Sequence, residues 1–439
     1  MSNSKLNFSF QKVRPLFKAI LWIFLTALLI FLAFNRHSKT GVYYYRSQIY
    51  ADKAGYYVYL PATFVYQFNA NSFPDSVDAK TGNGFQLDKT NNKVITKYFY
   101  GVSLMQLPFF LMAHWLAPPL GFEANGFSLI YHWAIDLAAL FYLLLSFYLL
   151  YKILRERFTE KTAFLSITFL FAGTNLFYYS IQETGMSHIY SFFLFTAWIY
   201  QLTFWEKLNK RPLFFGFSSG LIATLIIFVR PLNLLFLLMS IAFDRDFNQR
   251  LRTQLHWRFL LPFLLTVVLI ATPQFAYWKY LSGSFIADTY SGESFSNWMN
   301  PKIIEFLFAP NNGLFIYNPI LLLIIAGLVL MIRQKKENAW LILITVVLLS
   351  YISASWWSWH FGCGFAARNF VEYYVLLSFP LAFIIQYPKQ KAVEFLFYFL
   401  LILFSLYNLK MVYSYGGCWF GTGNWDWAQY AHWILKWPG

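Results

Sequence analysis

Few residues of this sequence have side chains suited to chemistry, and Asp52 stands out among them by its setting. It lies in the stretch of residues 50–66, Tyr-Ala-Asp-Lys-Ala-Gly-Tyr-Tyr-Val-Tyr-Leu-Pro-Ala-Thr-Phe-Val-Tyr, which follows the first strongly apolar segment. This stretch is aromatic and amphipathic, and it is too short and too polar to cross a bilayer. We expect it to lie in the membrane interface, with its rings at headgroup depth and its charges toward water. A carboxylate held there can take a proton from a substrate hydroxyl.

Two interpretations of Asp52 are open. In the first, it is a solvated loop carboxylate paired with its neighbour Lys53, a contact that contributes little to stability. In the second, it is a general base whose partial burial raises its pKa toward the pH at which the protein works. The rings of Tyr56 and Tyr57, with Lys53, would then contact the substrate, since sugars and prenyl chains both stack well on aromatic rings.

Arg230 is the second candidate, in Phe228-Val-Arg-Pro-Leu-Asn233, where one apolar segment ends and the next begins. A charged side chain at membrane depth costs about 2.5–3.5 kcal/mol on insertion scales, so it normally faces a cavity or a partner. A guanidinium can grip a phosphate by two hydrogen bonds. The alternative is that Arg230 snorkels to the headgroups. Lys97 lies at the end of another predicted segment, and it too could bind a phosphate or snorkel to the headgroups.

Three further groups of residues are substrate-site candidates, and each also has a purely structural interpretation. Glu183 and His188 share a tight turn, although a lone histidine is more often structural. His360 follows a tryptophan cluster that could line a sugar site or anchor the chain in the interface. Arg368 and Glu372 are spaced i, i+4, which predicts an ordinary ion pair on one helix face.

The histidines show no metal-ligand spacing such as HExxH. We therefore expect no catalytic metal and no cofactor. Asp136 is expected to pair with a base from a neighbouring helix.

Composition indicates an integral membrane protein. Of 439 residues, 58% are hydrophobic and 12% charged, whereas soluble domains are about a quarter charged. The formal net charge of +15 does not predict nucleic-acid binding, because the bases form short clusters between apolar segments. This distribution is typical of cytoplasmic loops, and the expected partner is the lipid bilayer.

The basic clusters set the predicted topology. A first, uncleaved helix at residues 17–34 follows a basic start, which places the N-terminus in the cytoplasm. Residues 35–127 form an external loop with two interfacial helices, at about 50–66 and 98–117. Residues 98–117 are long enough to span. However, a span there would place the bases that end the next segment, 128–151, outside, so we predict an interfacial or re-entrant helix.

The later segments alternate across the membrane, with basic inner loops that include Arg245 and Lys389. The predicted helices are 162–181, 187–205, 212–229, 231–243, 259–281, 314–332, 340–354, 369–386 and 392–412. The prediction is an all-α polytopic protein of about eleven transmembrane helices in one domain, residues 1–439. An aromatic tail, residues 413–439, lies outside. Cys363 and Cys418 fall on that outer side, where they could pair or could be unrelated thiols.

These features resemble the GT-C superfamily of integral membrane glycosyltransferases, in particular the protein mannosyltransferases and the lipid A aminoarabinose transferases. The likeness begins with a large first external loop that carries an acidic residue, here Asp52, and interfacial helices. It continues in segments similar to those of bacterial members: Lys97-Tyr-Phe-Tyr-Gly101, Gly173-Thr-Asn-Leu-Phe-Tyr-Tyr179, Ser187-His-Ile-Tyr190, Arg230-Pro-Leu-Asn233 and Gly362-Cys-Gly-Phe-Ala-Ala-Arg-Asn-Phe-Val-Glu-Tyr-Tyr374.

The resemblance implies an inverting, metal-independent transfer from a polyprenyl-phosphate-linked sugar donor to a lipid, glycan or protein acceptor. The site would face outward from an inner (plasma) membrane. Asp52 would be the general base, and Arg230, with Lys97 or Arg368, would hold the donor phosphate. One departure is that many members have adjacent acids in this loop, whereas Lys53 follows Asp52 here, so that Glu183 or Glu372 could share the task.

Two other functions are open. A transporter or flippase of a lipid-linked or small substrate predicts ionisable residues near the bilayer midplane and paired broken helices, and the sequence shows neither clearly. A non-enzymatic scaffold would use the aromatic outer segments to bind a partner chain.

Overall fold

A computed structural model describes residues 22–39, 41–243, 247–290, 292–387 and 390–436. In this part the chain is mostly helical and has several apolar helices, which is compatible with the predicted all-α membrane protein. The basic residues that precede the first predicted helix, together with Arg245 and Lys389, lie outside the described residues. The number of spans and their orientation therefore stay predictions.

The described part of the N-terminal third contains six α-helices and one short hairpin. The helices are α1 (Trp22–His37), α2 (Asp52–Tyr57), α3 (Tyr59–Phe64), α4 (Val77–Lys80), α5 (Gly101–Leu116) and α6 (Leu129–Arg155). Strands β1 (Gln86–Asp88) and β2 (Lys93–Ile95) pair antiparallel, with Leu87 opposite Val94. The 16 residues of α5 span about 24 Å at 1.5 Å per residue, less than a hydrocarbon core of about 30 Å.

The remaining helices follow in chain order. They are α7 (Glu160–Gly173), α8 (Leu176–Ile181), α9 (Ser187–Thr203), α10 (Trp205–Leu208), α11 (Pro212–Val229), α12 (Leu234–Ser240), α13 (Phe247–Gln254), α14 (Trp257–Ser282), α15 (Ile303–Phe308), α16 (Leu314–Tyr317), α17 (Ile320–Arg333), α18 (Ala339–Ser355), α19 (Tyr374–Gln386), α20 (Lys391–Ser414) and α21 (Trp427–Leu435). Within the described ranges, α6, α11, α14 and α20 are long and apolar enough to cross a membrane.

Pairs of neighbouring helices build the core. Helix α11 packs along α14, α6 packs against α5 and α9, and α7 packs against α19 and α20. Apolar side chains fill these contacts; the outward faces of α14 and α20 keep rows of exposed leucine, valine and phenylalanine. Exposed apolar rows on long helices are what lipid-facing surfaces require, because lipid tails offer no polar partners.

Two of the predicted transmembrane helices are broken. Residues 162–181 divide into α7 and α8 at Thr174 and Asn175, and residues 314–332 divide into α16 and α17 at Asn318. The breaks meet, since the Asn175 backbone N–H donates to Asn318 Oδ1 at 2.7 Å. Asn408 Nδ2 donates to the Tyr317 carbonyl at 2.9 Å. These side-chain amides satisfy backbone groups that a break in a membrane helix would leave unpaired.

Two contacts join three of the predicted inner segments at one end of the molecule. Arg157 Nη2 lies 3.1 Å from Glu337 Oε2, and Gln386 Oε1 accepts from the Thr159 backbone N–H at 3.2 Å. The predicted outer segments meet one another in the same way, and a disulfide joins Cys363 in the 356–368 loop to Cys418 in the tail. These contacts join segments that are predicted to share a side of the membrane, and the topology itself stays a prediction.

Candidate functional site

The stretch predicted to lie among lipid headgroups is packed inside the protein. Residues 53–62 are buried, and α2 and α3 fold against α5. The Tyr57 hydroxyl donates to the Gly126 carbonyl at 2.6 Å, and the Tyr59 hydroxyl donates to the Tyr98 carbonyl at 2.6 Å. Because the loop folds back over them, these rings find their polar partners in the protein rather than in headgroups.

Asp52 and Lys53 do not pair with each other. Lys53 Nζ contacts Glu183 Oε2 at 2.8 Å, whereas Asp52 Oδ2 accepts from Arg368 Nη2 at 3.3 Å. Adjacent residues on a helix do not face one another, so the two side chains of α2 reach different partners. The interpretation of Asp52 as a carboxylate neutralised by its neighbour is wrong.

The predicted ion pair between Arg368 and Glu372 is also wrong. Residues Arg368–Phe370 form a 3₁₀ turn and α19 begins only at Tyr374, so the i, i+4 relation of an α-helix does not exist there. Glu372 is buried and accepts from Arg230 Nη1 at 2.7 Å; it also lies 3.0 Å from His188 Nδ1. Arg368 is left to pair with Asp52.

Arg230 therefore has protein partners rather than headgroups around it. Its Nη1 donates to Glu372 and its Nη2 donates to Asn369 Oδ1 at 2.6 Å. The Arg230 side chain is 16% exposed, and Glu372 is 2% exposed. Glu372 and His188 thus lie behind Arg230, and neither lines the cavities described below.

Replacing Glu372 by Gln is expected to lower the free energy of unfolding by about 2–3 kcal/mol, because it leaves the charge of Arg230 without a carboxylate in a largely buried position. Thermal unfolding in lipid nanodiscs measures this. Glu206→Gln, at an exposed position on α10, is the matched control. Equal melting temperatures for the two variants would contradict the pairing.

Asp52 and Arg368 stand on the wall between two cavities. The first, which we call the arginine cavity, has a volume of about 400 Å³ and is also lined by Arg36, Arg46 and the Lys53–Glu183 pair. The second, which we call the apolar cavity, has a volume of about 540 Å³ and is lined partly by Leu232, Phe295 and Ile352. Six residues line both cavities: Asp52, Lys97, Glu293, Trp356, Phe361 and Arg368.

The structure brings most of the sequence-predicted site residues to these cavities. Asp52, Lys97 and Arg368 line both of them, Lys53 and Glu183 line the arginine cavity, and Arg230 and Tyr56 line the apolar cavity. Tyr57, His188, His360 and Glu372 line neither. Glu293 is a site residue that the sequence did not single out; its Oε1 lies 2.5 Å from Lys97 Nζ.

His360 shapes the loop that carries Arg368 instead of facing substrate. Its Nδ1 accepts from the Gly362 backbone N–H at 3.1 Å, and its carbonyl accepts from Asn312 Nδ2 at 3.0 Å. Burial and the nearby charge of Arg368 lower the pKa of His360, which keeps the ring neutral and able to accept. A sugar-binding role for His360 has no support in this geometry.

Asp136 lies in a separate buried network. Its carboxylate accepts from Gln48 Nε2 at 2.6 Å and from Thr184 Oγ1 at 2.7 Å, and it lies 3.3 Å from His37 Nδ1. The network ties the N-terminal part of α6 to α1 and to the turn before α9.

The Asp52 carboxylate is held ionised. Burial would raise its pKa, but the charge of Arg368, a hydrogen bond from Tyr98 and the charge of Lys97 together lower it below the ordinary value. Burial would lower the pKa of Arg368, but Asp52 and neighbouring tyrosines raise it instead. The Asp52 side chain is still 36% exposed, and the exposed part faces the cavities. The site therefore places a negatively charged hydrogen-bond acceptor, the Asp52 carboxylate, beside a positively charged hydrogen-bond donor, the Arg368 guanidinium.

The backbone before Asp52 is strained. Ala51 has φ 49° and ψ −128°, a region that residues with a Cβ rarely adopt and that recurs at functional sites. The Ala51 carbonyl lies against Gly84, so that a Cβ at Gly84 would approach the Ala51 oxygen to 1.8 Å. Gly84 is therefore required for the position of Asp52.

We expect Gly84→Ala to displace the Ala51 carbonyl and with it the Asp52 carboxylate, so that any reaction that depends on this carboxylate slows at least about tenfold. The free energy of unfolding should fall by about 1–3 kcal/mol from the overpacking. Turnover and melting temperature are compared with Gly41→Ala, where a Cβ meets nothing within 4 Å. Normal turnover in Gly84→Ala would show that this contact does not position Asp52.

Comparison with known proteins identifies no relative: no protein-family model and no curated protein matches the sequence. Among the described residues, no group of three or more His, Cys, Asp or Glu side chains could hold a metal ion.

Proposed function

We propose that the chain is a glycosyltransferase of the GT-C type, which moves a sugar from a polyprenyl-phosphate donor to an acceptor at the outer face of the membrane. The observation that carries the proposal is the Asp52–Arg368 pair on the wall between two cavities of different character. A carboxylate that can take a proton and a guanidinium that can hold a phosphate are the two groups this transfer needs.

The apolar cavity suits the lipid-linked donor. Leu232, Phe295 and Ile352 offer apolar surface to the first prenyl units, and Lys97 and Arg368 offer positive charge to the phosphate. Within the described residues, the Arg368 side chain makes one hydrogen bond, to Asp52, and its buried Nε has no partner. Arg368 is thus a better phosphate ligand than Arg230, whose terminal nitrogens already bond Glu372 and Asn369.

The proposed step is a single displacement. The acceptor hydroxyl attacks the anomeric carbon as its proton passes to Asp52, and the bond from that carbon to the phosphate oxygen breaks, with its electron pair leaving on the phosphate. Arg368 and Lys97 neutralise the departing charge. When Arg368 turns to the phosphate, it loosens its hold on Asp52, and the pKa of Asp52 rises toward that of a working base.

The disulfide supports an outward-facing site, because such bonds persist in oxidising compartments. Cys363 and Cys418 both line the arginine cavity. The convergence of the basic loops at the opposite end of the molecule supports the same orientation.

The experiment offers purified protein in nanodiscs a panel of radiolabelled polyprenyl-phosphate sugars and an extract of cell-envelope lipids. The proposal expects that one donor binds, that polyprenyl phosphate is released and that the label moves to an envelope component. If no donor binds, the glycosyltransferase proposal fails.

The paired breaks at Asn175 and Asn318 favour transport, since transporters place substrate at broken helices. Here the broken ends bond to each other and to Asn408, and the described cavities that hold the charged residues lie elsewhere. Movement of label into proteoliposomes without a covalent product would favour a transporter.

A further inference from the structure

The arginine cavity contains two guanidinium groups that the proposed transfer step does not use. Arg36 is in the last turn of α1, and Arg46 is in the loop that follows. Arg46 Nη2 donates to the Gly416 carbonyl at 3.2 Å, while its buried Nε has no partner among the described residues. Arg36 makes no side-chain hydrogen bond or ion pair within the described part of the chain.

The other cations of this cavity are each balanced by an acid. The three pairs are Lys53 with Glu183, Lys97 with Glu293 and Arg368 with Asp52. The uncompensated charge of the cavity therefore belongs to Arg36 and Arg46, whose like charges repel. Two unpaired guanidiniums in one cavity favour an anion that bridges them.

Aromatic rings surround the same space. Tyr45 lies under the Arg46 guanidinium, 5.2 Å from its ring centroid to the guanidinium carbon, and Trp356 and Trp357 also line the cavity. Aromatic faces beside guanidinium groups suit a sugar that carries an anionic group. The sugar ring can stack on the aromatic faces while the guanidinium groups bind the anion.

We infer that the arginine cavity binds the acceptor, and that the acceptor is an anionic glycan whose phosphate or carboxylate is held by Arg36 and Arg46. This inference rests on the proposed function, because it places the acceptor across Asp52 from the donor. Asp52 lines both cavities, so that its carboxylate can reach a hydroxyl on a sugar held in the arginine cavity.

The test measures binding to the full-length protein in nanodiscs without any donor. The probes are glucose 6-phosphate, galacturonic acid, neutral glucose and inorganic phosphate, followed by saturation-transfer NMR and tryptophan fluorescence. We expect the two anionic sugars to bind at least about tenfold more tightly than glucose and inorganic phosphate, since both the charge and the ring contribute. If glucose binds as tightly as the anionic sugars, the proposal that the acceptor is anionic is wrong. If inorganic phosphate binds as tightly as the anionic sugars, the proposal that the acceptor is a glycan is wrong.

The variant is Arg36→Gln with Arg46→Gln, which should weaken binding of both anionic sugars at least about tenfold. Its matched control is Arg252→Gln with Arg258→Gln, which removes the same charge from exposed positions. Removing two repelling charges should not lower the melting temperature, and this is measured alongside. Unchanged affinity in the Arg36/Arg46 variant would overturn the assignment. These binding measurements contain no sugar donor. The affinity for anionic sugars can therefore be interpreted even if no polyprenyl-phosphate donor binds and the proposed transfer fails.

Discussion

Replacing Asp52 by Asn is expected to abolish sugar transfer and to leave the protein folded. An amide cannot take the acceptor proton, and a positioned general base contributes about 10²–10⁴ in rate. The loss of charge also leaves Arg368 without its carboxylate, so we expect a fall of at least about 10³-fold in kcat. Donor binding should persist, because the apolar cavity and Lys97 are unchanged. Single-turnover release of polyprenyl phosphate measures the effect.

Asp75→Asn is the matched control for this variant. Asp75 lies in the same loop, and its side chain is 96% exposed, so that its loss should not alter turnover. Melting temperatures of both variants separate a chemical effect from unfolding. Wild-type turnover in Asp52→Asn would remove Asp52 from the mechanism.

Replacing Arg368 by Gln should slow transfer by about 10²–10³-fold, the usual loss when a donor that stabilises a developing charge is removed. It should also change the pH dependence. In the wild type Arg368 opposes the effect of burial and lowers the pKa of Asp52, so the acidic limb of kcat/KM lies below the ordinary aspartate pKa of about 3.9. Without Arg368, burial raises that pKa and the limb moves to higher pH.

The lowered pKa of Asp52 also makes the free energy of unfolding depend on pH. A carboxyl whose pKa is lowered by folding stabilises the protein above its unfolded pKa, and this contribution is lost as pH falls through the folded value. Arg368→Gln should lose that contribution at neutral pH, whereas Arg157→Gln, which breaks a partly exposed pair with Glu337 at the other end of the molecule, should retain it. An acidic limb that stays in place in Arg368→Gln would contradict the pairing of Arg368 with Asp52.

The sequence predicts the long helices well, because a bilayer leaves an apolar segment little choice but a helix. Residues 212–229 and 259–281 were predicted, and the structure has Pro212–Val229 and Trp257–Ser282. The breaks at Asn175 and Asn318 were not predictable in this way. Each break depends on a side-chain amide from a distant part of the chain. The residues on both sides of each break are apolar, so the local sequence predicts a continuous helix.

Residue types identified the candidate site better than residue spacing did. Asp52 and Arg368 were both singled out, yet their contact joins residues 316 positions apart, and nothing local encodes it. Spacing suggested Arg368 with Glu372, which fails because the chain there is not α-helical. The burial of α2 was missed because it requires the whole loop from residue 41 to residue 100 to fold back over it.

The central claim is that this chain transfers a sugar from a polyprenyl phosphate at Asp52. The most direct measurement is a single-turnover reaction of the wild-type protein in nanodiscs, with a doubly labelled donor, in which both products are counted. The account predicts one polyprenyl phosphate released for each sugar joined to an acceptor. An intact donor, or labelled sugar that crosses the membrane without bond cleavage, would contradict it.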